Sequence, residues 1–233
     1  MTWATIRQVV IGAEDLDATS QEIRKGLGLS SGFADPLLED IGLADETIRV
    51  GPEAHLEVVA PLTATASING WLTKVGGGGG YALSIQVPDA AALVANAEAA
   101  GVRVVADLEA YDRRIVQLHP GDMGLLVELD EIPEPDQWFW DDIATETPTN
   151  PVVDDVLGVD VESSDPQAQA ARWAAVMGVE VEDGDVPSIR LGSRTVHFVR
   201  GDRRMLSAVD LRKVDGADAP STLSVSGVLL RLR

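Results

Sequence analysis

Three glycines at nearly equal spacing constrain what this chain can fold into. Gly28, Gly101 and Gly178 lie 73 and 77 residues apart, and each follows a segment whose apolar residues recur at helical spacing. A glycine at that place takes the left-handed conformation that closes a helix. Leu16, Ser20, Ile23 and Leu27 share a helix face before the first glycine, and Leu93, Ala97 and Ala100 before the second. Ala170, Trp173, Ala174 and Met177 do so before the third. Strand-like runs precede the helices (IRQVVIGA, YALSIQV and LGVDVES), and further strand-like runs follow them. The chain therefore reads as a tandem of βαβββ modules.

In the first module the later strands fall near residues 32–40, 43–50 and 54–61, and in the third near 179–182, 188–191 and 195–200. A full fourth module would need a stop glycine beyond Arg233, so that copy is cut down. LSAVDLRKV and SVSGVLLRLR read as its first and last strands, with DGADAPST in place of a helix. The expected fold class is α+β: two complete modules over 1–132, a linker over 133–155, and a degenerate domain with a shortened last module over 156–233. The linker is acidic and proline-rich yet carries Trp138, Phe139 and Trp140. Three aromatics require burial, either as a plug in an interdomain seam or as a lid over a ligand pocket. Five glycines at 76–80 follow a short helix, SINGWLTKV. They lack the Lys-Ser/Thr ending of a phosphate loop and lead into a strand, so they read as a flexible connector.

A formal charge of −20 argues against nucleic acid as a partner, because phosphate binding requires clustered Lys and Arg. The absence of cysteine removes thiolate catalysis and cysteine-bound metals, leaving His, Asp, Glu and amide oxygens as possible ligands. No apolar run reaches the ~20 residues of a membrane helix, and MTWATIRQVV carries no signal-peptide pattern. The expectation is a cytoplasmic monomer or homodimer whose partner is a small organic molecule.

Strand alternation decides which side chains meet. Val9 and Ile11 oppose Gln8; Leu56 and Val58 oppose His55 and Glu57; Leu83, Ile85 and Val87 oppose Ala82, Ser84 and Gln86; Val127 and Leu129 oppose Glu128. With the apolar sets under the helices, Gln8, His55, Glu57, Ser84 and Glu128 line the concave side of the sheet. Two carboxylates in a partly dry cavity are costly unless a metal, a proton or a cation compensates. Glu57 and Glu128 are thus the catalytic candidates, and Gln8, His55, Ser84 and Glu128 the ligand-binding candidates. His119, in LHP, reads as holding a strand end, and His197 falls where Glu57 would lie in the third module.

The sequence IRQVVIGAEDLDA, LEVVAP, GGGGYALSIQV with a helix and AGV, then QLHPGDMGLLVELDE, resembles the vicinal oxygen chelate superfamily. That superfamily includes glyoxalase I, methylmalonyl-CoA epimerase, extradiol dioxygenases and bleomycin-resistance proteins. The likeness spans residues 5–131 and, to a lesser degree, 156–200, and the epimerase-like branch is the one it resembles most. The resemblance implies divalent-metal ligands at Gln8, Glu57 and Glu128, with Ala82 standing where the family commonly has His. It also implies an acid/base carboxylate near Asp45 or Glu46. For a coenzyme A ester, Lys74, Arg113 and Arg114 are the basic candidates. Two functions follow from it. One is a glyoxalase-like small-molecule-binding protein with an eroded metal site, carrying no cofactor or a weakly bound divalent ion. The other is a divalent-metal-dependent lyase or epimerase. A structural or protein-interaction role for the acidic middle segment is a third reading.

Overall fold

The computed structural model describes residues 3–233. The first module comprises β1 (Thr5–Ala13), α1 (Leu16–Leu27), α2 (Pro36–Asp40), β2 (Leu43–Arg49) and β3 (His55–Pro61), and α3 (Ile68–Val75) leads out of it. The second has β4 (Gly78–Val87), α4 (Ala90–Ala99), β5 (Val104–Ala110), β6 (Arg113–Leu118), α5 (Pro120–Met123) and β7 (Leu126–Glu131). The third has β8 (Val153–Ser163), α6 (Pro166–Met177), β9 (Val181–Glu182), β10 (Ser188–Leu191) and β11 (Arg194–Arg200). The fourth is β12 (Leu206–Lys213), β13 (Thr222–Val225) and β14 (Val228–Leu232). The fold is α+β and built from βαβββ modules, as the glycine spacing predicts.

Local chemistry explains the helix boundaries. Asp15, Asp89 and Asp165 each cap a helix N-terminus by accepting a backbone N–H, from Ala18, Ala91 and Ala168 respectively. Gly28 closes α1 at φ 65°. A side chain there would also collide with the carbonyl oxygen of Asn150. Most of the expected faces are buried: Ser20, Ile23 and Leu27 on α1, Leu93 and Ala97 on α4, and Ala170, Trp173, Ala174 and Met177 on α6, whereas Leu16 and Ala100, at the helix ends, are half-buried.

Three expectations are corrected. Residues 32–40 do not form a strand: Phe33 makes one bridge to Thr47, and Pro36–Asp40 is the helix α2. Asp35 caps that helix and Pro36 presets its first turn, which outweighs the strand-like composition. The five glycines are not a flexible connector. Gly76 caps α3, and Gly78 begins the buried half of β4. A side chain at Gly78 would strike Ser226 Oγ, which itself donates to Gly12 O at 3.2 Å. Finally, SVSGVLLRLR is a hairpin rather than one strand, turning at Ser226 and Gly227 with φ 44° and 76°. Two positive φ values in a two-residue loop match the right-handed twist of the flanking strands.

By packing, the chain gathers into two compact units, here named by chain order. The inner unit combines Ala82–Ile143 and Gly158–Leu206 with the residues up to Arg7, which brings the second and third modules together. In it β4 pairs parallel with β7, β6 with β7 antiparallel, and β11 parallel with β8. Its helices meet where Asn96 Nδ2 donates to Val176 O at 3.2 Å and Trp173 Nε1 to Met123 O at 2.7 Å. The outer unit combines Gln8–Tyr81, Ala144–Leu157 and Ser207–Arg233, the first module with the fourth. There β1 pairs parallel with β3, β2 antiparallel with β3, and β12 parallel with β14.

Two of the three linker aromatics are buried within the inner unit, and Phe139 is half-buried. Trp138 and Trp140 are each only 7% exposed. Tyr111 packs edge-on against Trp140 at 5.4 Å, and the Arg7 guanidinium lies 5.9 Å from the Trp138 ring. Arg7 Nε donates to Gln86 Oε1 at 2.6 Å, and Gln86 Nε2 donates to Ile132 O and Glu134 O at 3.1 and 2.8 Å. The acidic segment is thereby tied down by hydrogen bonds as well as by apolar contact.

Candidate functional site

In the outer unit, register places a polar set on one face of the β1–β3–β2 ladder. Gln8 is opposite His55 in the parallel pairing of β1 with β3, and in the antiparallel pairing of β3 with β2 His55 faces Arg49, Glu57 faces Thr47 and Val59 faces Asp45. Partners across a ladder share a face, so Gln8, His55, Glu57, Asp45, Thr47 and Arg49 lie on one side. Gln8, His55 and Glu57 are all buried. Gln8 Nε2 donates to Glu57 Oε2 at 2.7 Å, a direct bond between two of the sequence-predicted residues.

The ladder also separates Asp45 from Glu46, which the sequence leaves as alternatives. Glu46 is on the opposite face, where Oε1 accepts from Arg24 Nη1 at 2.6 Å and from Gly32 N at 2.7 Å. Asp45 shares the face of Glu57 and is only 6% exposed. Burial pushes its carboxyl up to about 7. The Asp35 N–H opposes that rise, and the nearby Asp35, Glu39 and Glu46 carboxylates add to it. Thr47, two residues along, is fully enclosed and its Oγ1 has no hydrogen-bond partner among the described residues. Sequence reasoning missed Thr47 and Arg49, although both follow Asp45 at the period of two that marks one strand face.

The inner unit holds the other half of the sequence-predicted set. Ser84 is opposite Glu128 and Gln86 opposite Asp130 in the pairing of β4 with β7. Glu128 is half-buried; Gln117 Nε2 donates to its Oε2 at 2.8 Å, and Ser84 Oγ lies 3.5 Å from its Oε1. Gln117, unnoticed in the sequence, is thus the principal partner described for Glu128. Ala82 is opposite Leu126 and contributes only a methyl group.

Of the four metal-ligand positions that the resemblance implies, two are engaged with each other and one has no donor. Gln8 and Glu57 are bonded to each other, and Ala82 supplies no donor atom. Among the described residues, no group of three or more His, Asp and Glu side chains is set to hold a metal ion. Of the basic candidates for a coenzyme A ester, Arg114 is tied to Asp107 at 2.9 Å and Arg113 is within 3.6 Å of Glu134.

The other histidines have structural surroundings. His119 caps α5, its Nδ1 accepting from Gly121 N at 3.0 Å, and so fastens the end of β6. Beside it Arg103 holds the Asp122 carboxyl well below the usual carboxylate range. His197 stands opposite Asp160 and Ser188 in its ladders. Among the described residues, no helix is long and apolar enough to cross a membrane.

No protein-family model matches the chain. The ethylmalonyl-CoA/methylmalonyl-CoA epimerase of Cereibacter sphaeroides is 31% identical over 132 residues, which cover 54% of this chain and 97% of that protein. A hypothetical protein from Staphylococcus aureus, 13% identical, superposes with a TM-score of 0.68 over 99% of this chain and 98% of its own. A 4-hydroxymandelate synthase from Streptomyces coelicolor, 15% identical, gives 0.70 over 91% of this chain and 71% of its own. The two superpositions establish a shared fold.

Proposed function

Because the chain belongs to the ethylmalonyl-CoA/methylmalonyl-CoA epimerase family of the vicinal oxygen chelate superfamily, we propose that it binds a small organic acyl compound on the face carrying Gln8, His55 and Glu57. In this reading the metal site is eroded. The supporting observation is the 2.7 Å bond from Gln8 to Glu57, which commits two of the family's ligand positions to each other. Ser84 and Glu128 remain proposed ligand-binding residues on their own face, and Glu57 and Glu128 the proposed catalytic carboxylates.

The test is melting temperature. Protein purified without chelator is titrated with Mn²⁺, Ni²⁺ and Zn²⁺, then with short acyl-CoA thioesters. A native-state ligand stabilises by mass action, about 2.7 kcal/mol at a hundredfold excess over Kd. Stabilisation by a thioester and not by the metals is expected. A rise with any of the metals would overturn the metal-free reading, and no rise with thioesters would remove the proposed ligand class.

Asp45 favours a second reading, proton transfer beside a carbonyl. A carboxyl titrating near 7 on the face of Glu57 is matched to general acid/base work at neutral pH. Asp45 would take the proton from the carbon and return it. Incubating the protein with methylmalonyl-CoA in D₂O should incorporate deuterium at C2, and Asp45→Asn should abolish that. Equal incorporation by the variant would remove Asp45 from the chemistry.

A further inference from the structure

Within the inner unit, a cavity of about 180 Å³ lies where β8 runs into α6. The second module contributes Gly121 and Gly124 to its lining; Ser163, Arg172 and Arg204 come from later in the chain. The acids around it are committed elsewhere. Glu162 pairs with Arg203 at 2.9 Å, Asp165 Oδ1 accepts from Ala168 N at 3.1 Å, and Asp122, next to Gly121, pairs with Arg103 at 2.8 Å. The two lining arginines are held by backbone instead. Arg172 Nη1 donates to Asp122 O at 3.0 Å and Arg204 Nη1 to Gly121 O at 3.2 Å, and neither has a carboxylate partner among the described residues.

Carbonyls of two adjacent residues thus fix two guanidiniums at one cavity, each with donors of its fork to spare. In a chain with 38 acidic and 18 basic residues, two cations sharing a cavity without an acid of their own are an imbalance. Like charges so placed repel until a counter-ion joins them. Ser163, only 9% exposed, adds a third donor: its Oγ accepts from Asp165 N at 3.1 Å, and its own hydrogen has no acceptor among the described residues. At ~30 Å³ for each water, the volume admits a tetrahedral oxyanion with part of its hydration. We propose that this cavity binds a phosphate group, held by the forks of Arg172 and Arg204 and by the Ser163 hydroxyl, and that the bound anion ties the second module to the third. The assignment is independent of the acyl-ligand reading, because none of these residues belongs to the Gln8–Glu57 or Ser84–Glu128 faces.

The test is a nitrogen-15 NMR titration of the full chain with inorganic phosphate, with glycerol 3-phosphate, and with chloride at matched low ionic strength, since both arginines are exposed and salt screens them. Saturable shifts at the Gly121, Gly124 and Ser163 amides and at the Nε–H groups of Arg172 and Arg204 are expected with phosphate and not with chloride. Saturation by glycerol 3-phosphate as well assigns a phosphomonoester; saturation by phosphate alone assigns the inorganic ion. Arg172→Gln and Arg204→Gln should each weaken the affinity about tenfold, the loss of one charge-assisted hydrogen bond. Arg190→Gln, which deletes the same charge from a pair with Glu182 outside the cavity, should change it by less than about twofold. If the glutamine variants do not fold, Ser164→Asp, at an exposed lining position, should weaken binding by repulsion. No saturable shift, shifts elsewhere, an affinity unchanged in the folded lining variants, or an equal loss in Arg190→Gln would overturn the site.

Discussion

The two polar faces are built on equivalent strands of a repeated module, yet they hold their carboxylates differently. In the outer unit the first-strand residue Gln8 donates directly to Glu57, and both are buried. In the inner unit the equivalent first-strand position is Ala82, and Glu128 takes its hydrogen bond from Gln117 on β6. Glu128 is also half-exposed. A buried carboxylate depends on its close protein donors; a partly solvated one has water as an alternative. The same fold position therefore carries different energetic weight in the two units.

Asp45, whose register counterpart in the inner unit is Ile115, offers the largest test of this difference. Its carboxyl is raised from 3.8 to about 7, so it binds a proton more tightly folded than unfolded. The stability it contributes is complete below about pH 4 and is lost as pH rises through about 7. At ~1.4 kcal/mol for each tenfold gain in proton affinity, the loss comes to about 4 kcal/mol. Denaturation at several pH values between about 4 and 8 should show that loss in the wild-type chain and a flatter profile in Asp45→Asn. Identical slopes would mean the carboxyl is not desolvated. Next in size is Gln8→Ala, which takes the Gln8 donor away from the buried Glu57 and should cost about 2 kcal/mol in urea denaturation. Gln117→Ala should cost less, about 1 kcal/mol, because water reaches Glu128. A cost equal to that of Gln8→Ala would erase the distinction between the halves. Smallest is Ser84→Ala: a 3.5 Å contact is at the limit of a hydrogen bond, and a change within about 0.5 kcal/mol is expected.

How much of the fold and site is legible in the sequence depends on the range of the interaction involved. Helix stops and strand faces are local, and Gly28, Gly101 and Gly178 together with the alternation around Gln8 and Glu57 disclose them. The DPLLED capping pattern is equally local, but the apolar content of residues 32–40 masks the signal of Asp35 and Pro36. The glycines at 78–80 cannot be understood locally, because the group occupying the space beside Gly78 is Ser226, far along the chain. Asp45 and Glu46 are adjacent and so point to opposite faces; only the β2–β3 register tells which one accompanies Glu57. Gln117 is invisible for the same reason: its relation to Glu128 is set by the pairing of β6 with β7.

The composition of the outer unit also bears on how the protein is made. Its first module emerges from the ribosome well before the residues that pack with it, Ser207–Arg233. Leu223 against Gly26 and Ser226 on Gly12 are contacts of very large sequence separation, and such contacts slow folding because loop closure precedes their reward. During translation the nascent first module must therefore wait with part of its packing surface uncovered, in the state where chains aggregate or recruit chaperones. Two pieces of the inner unit, Ala82–Ile143 and Gly158–Leu206, lie close together in sequence and can pack on each other while the outer unit is still waiting.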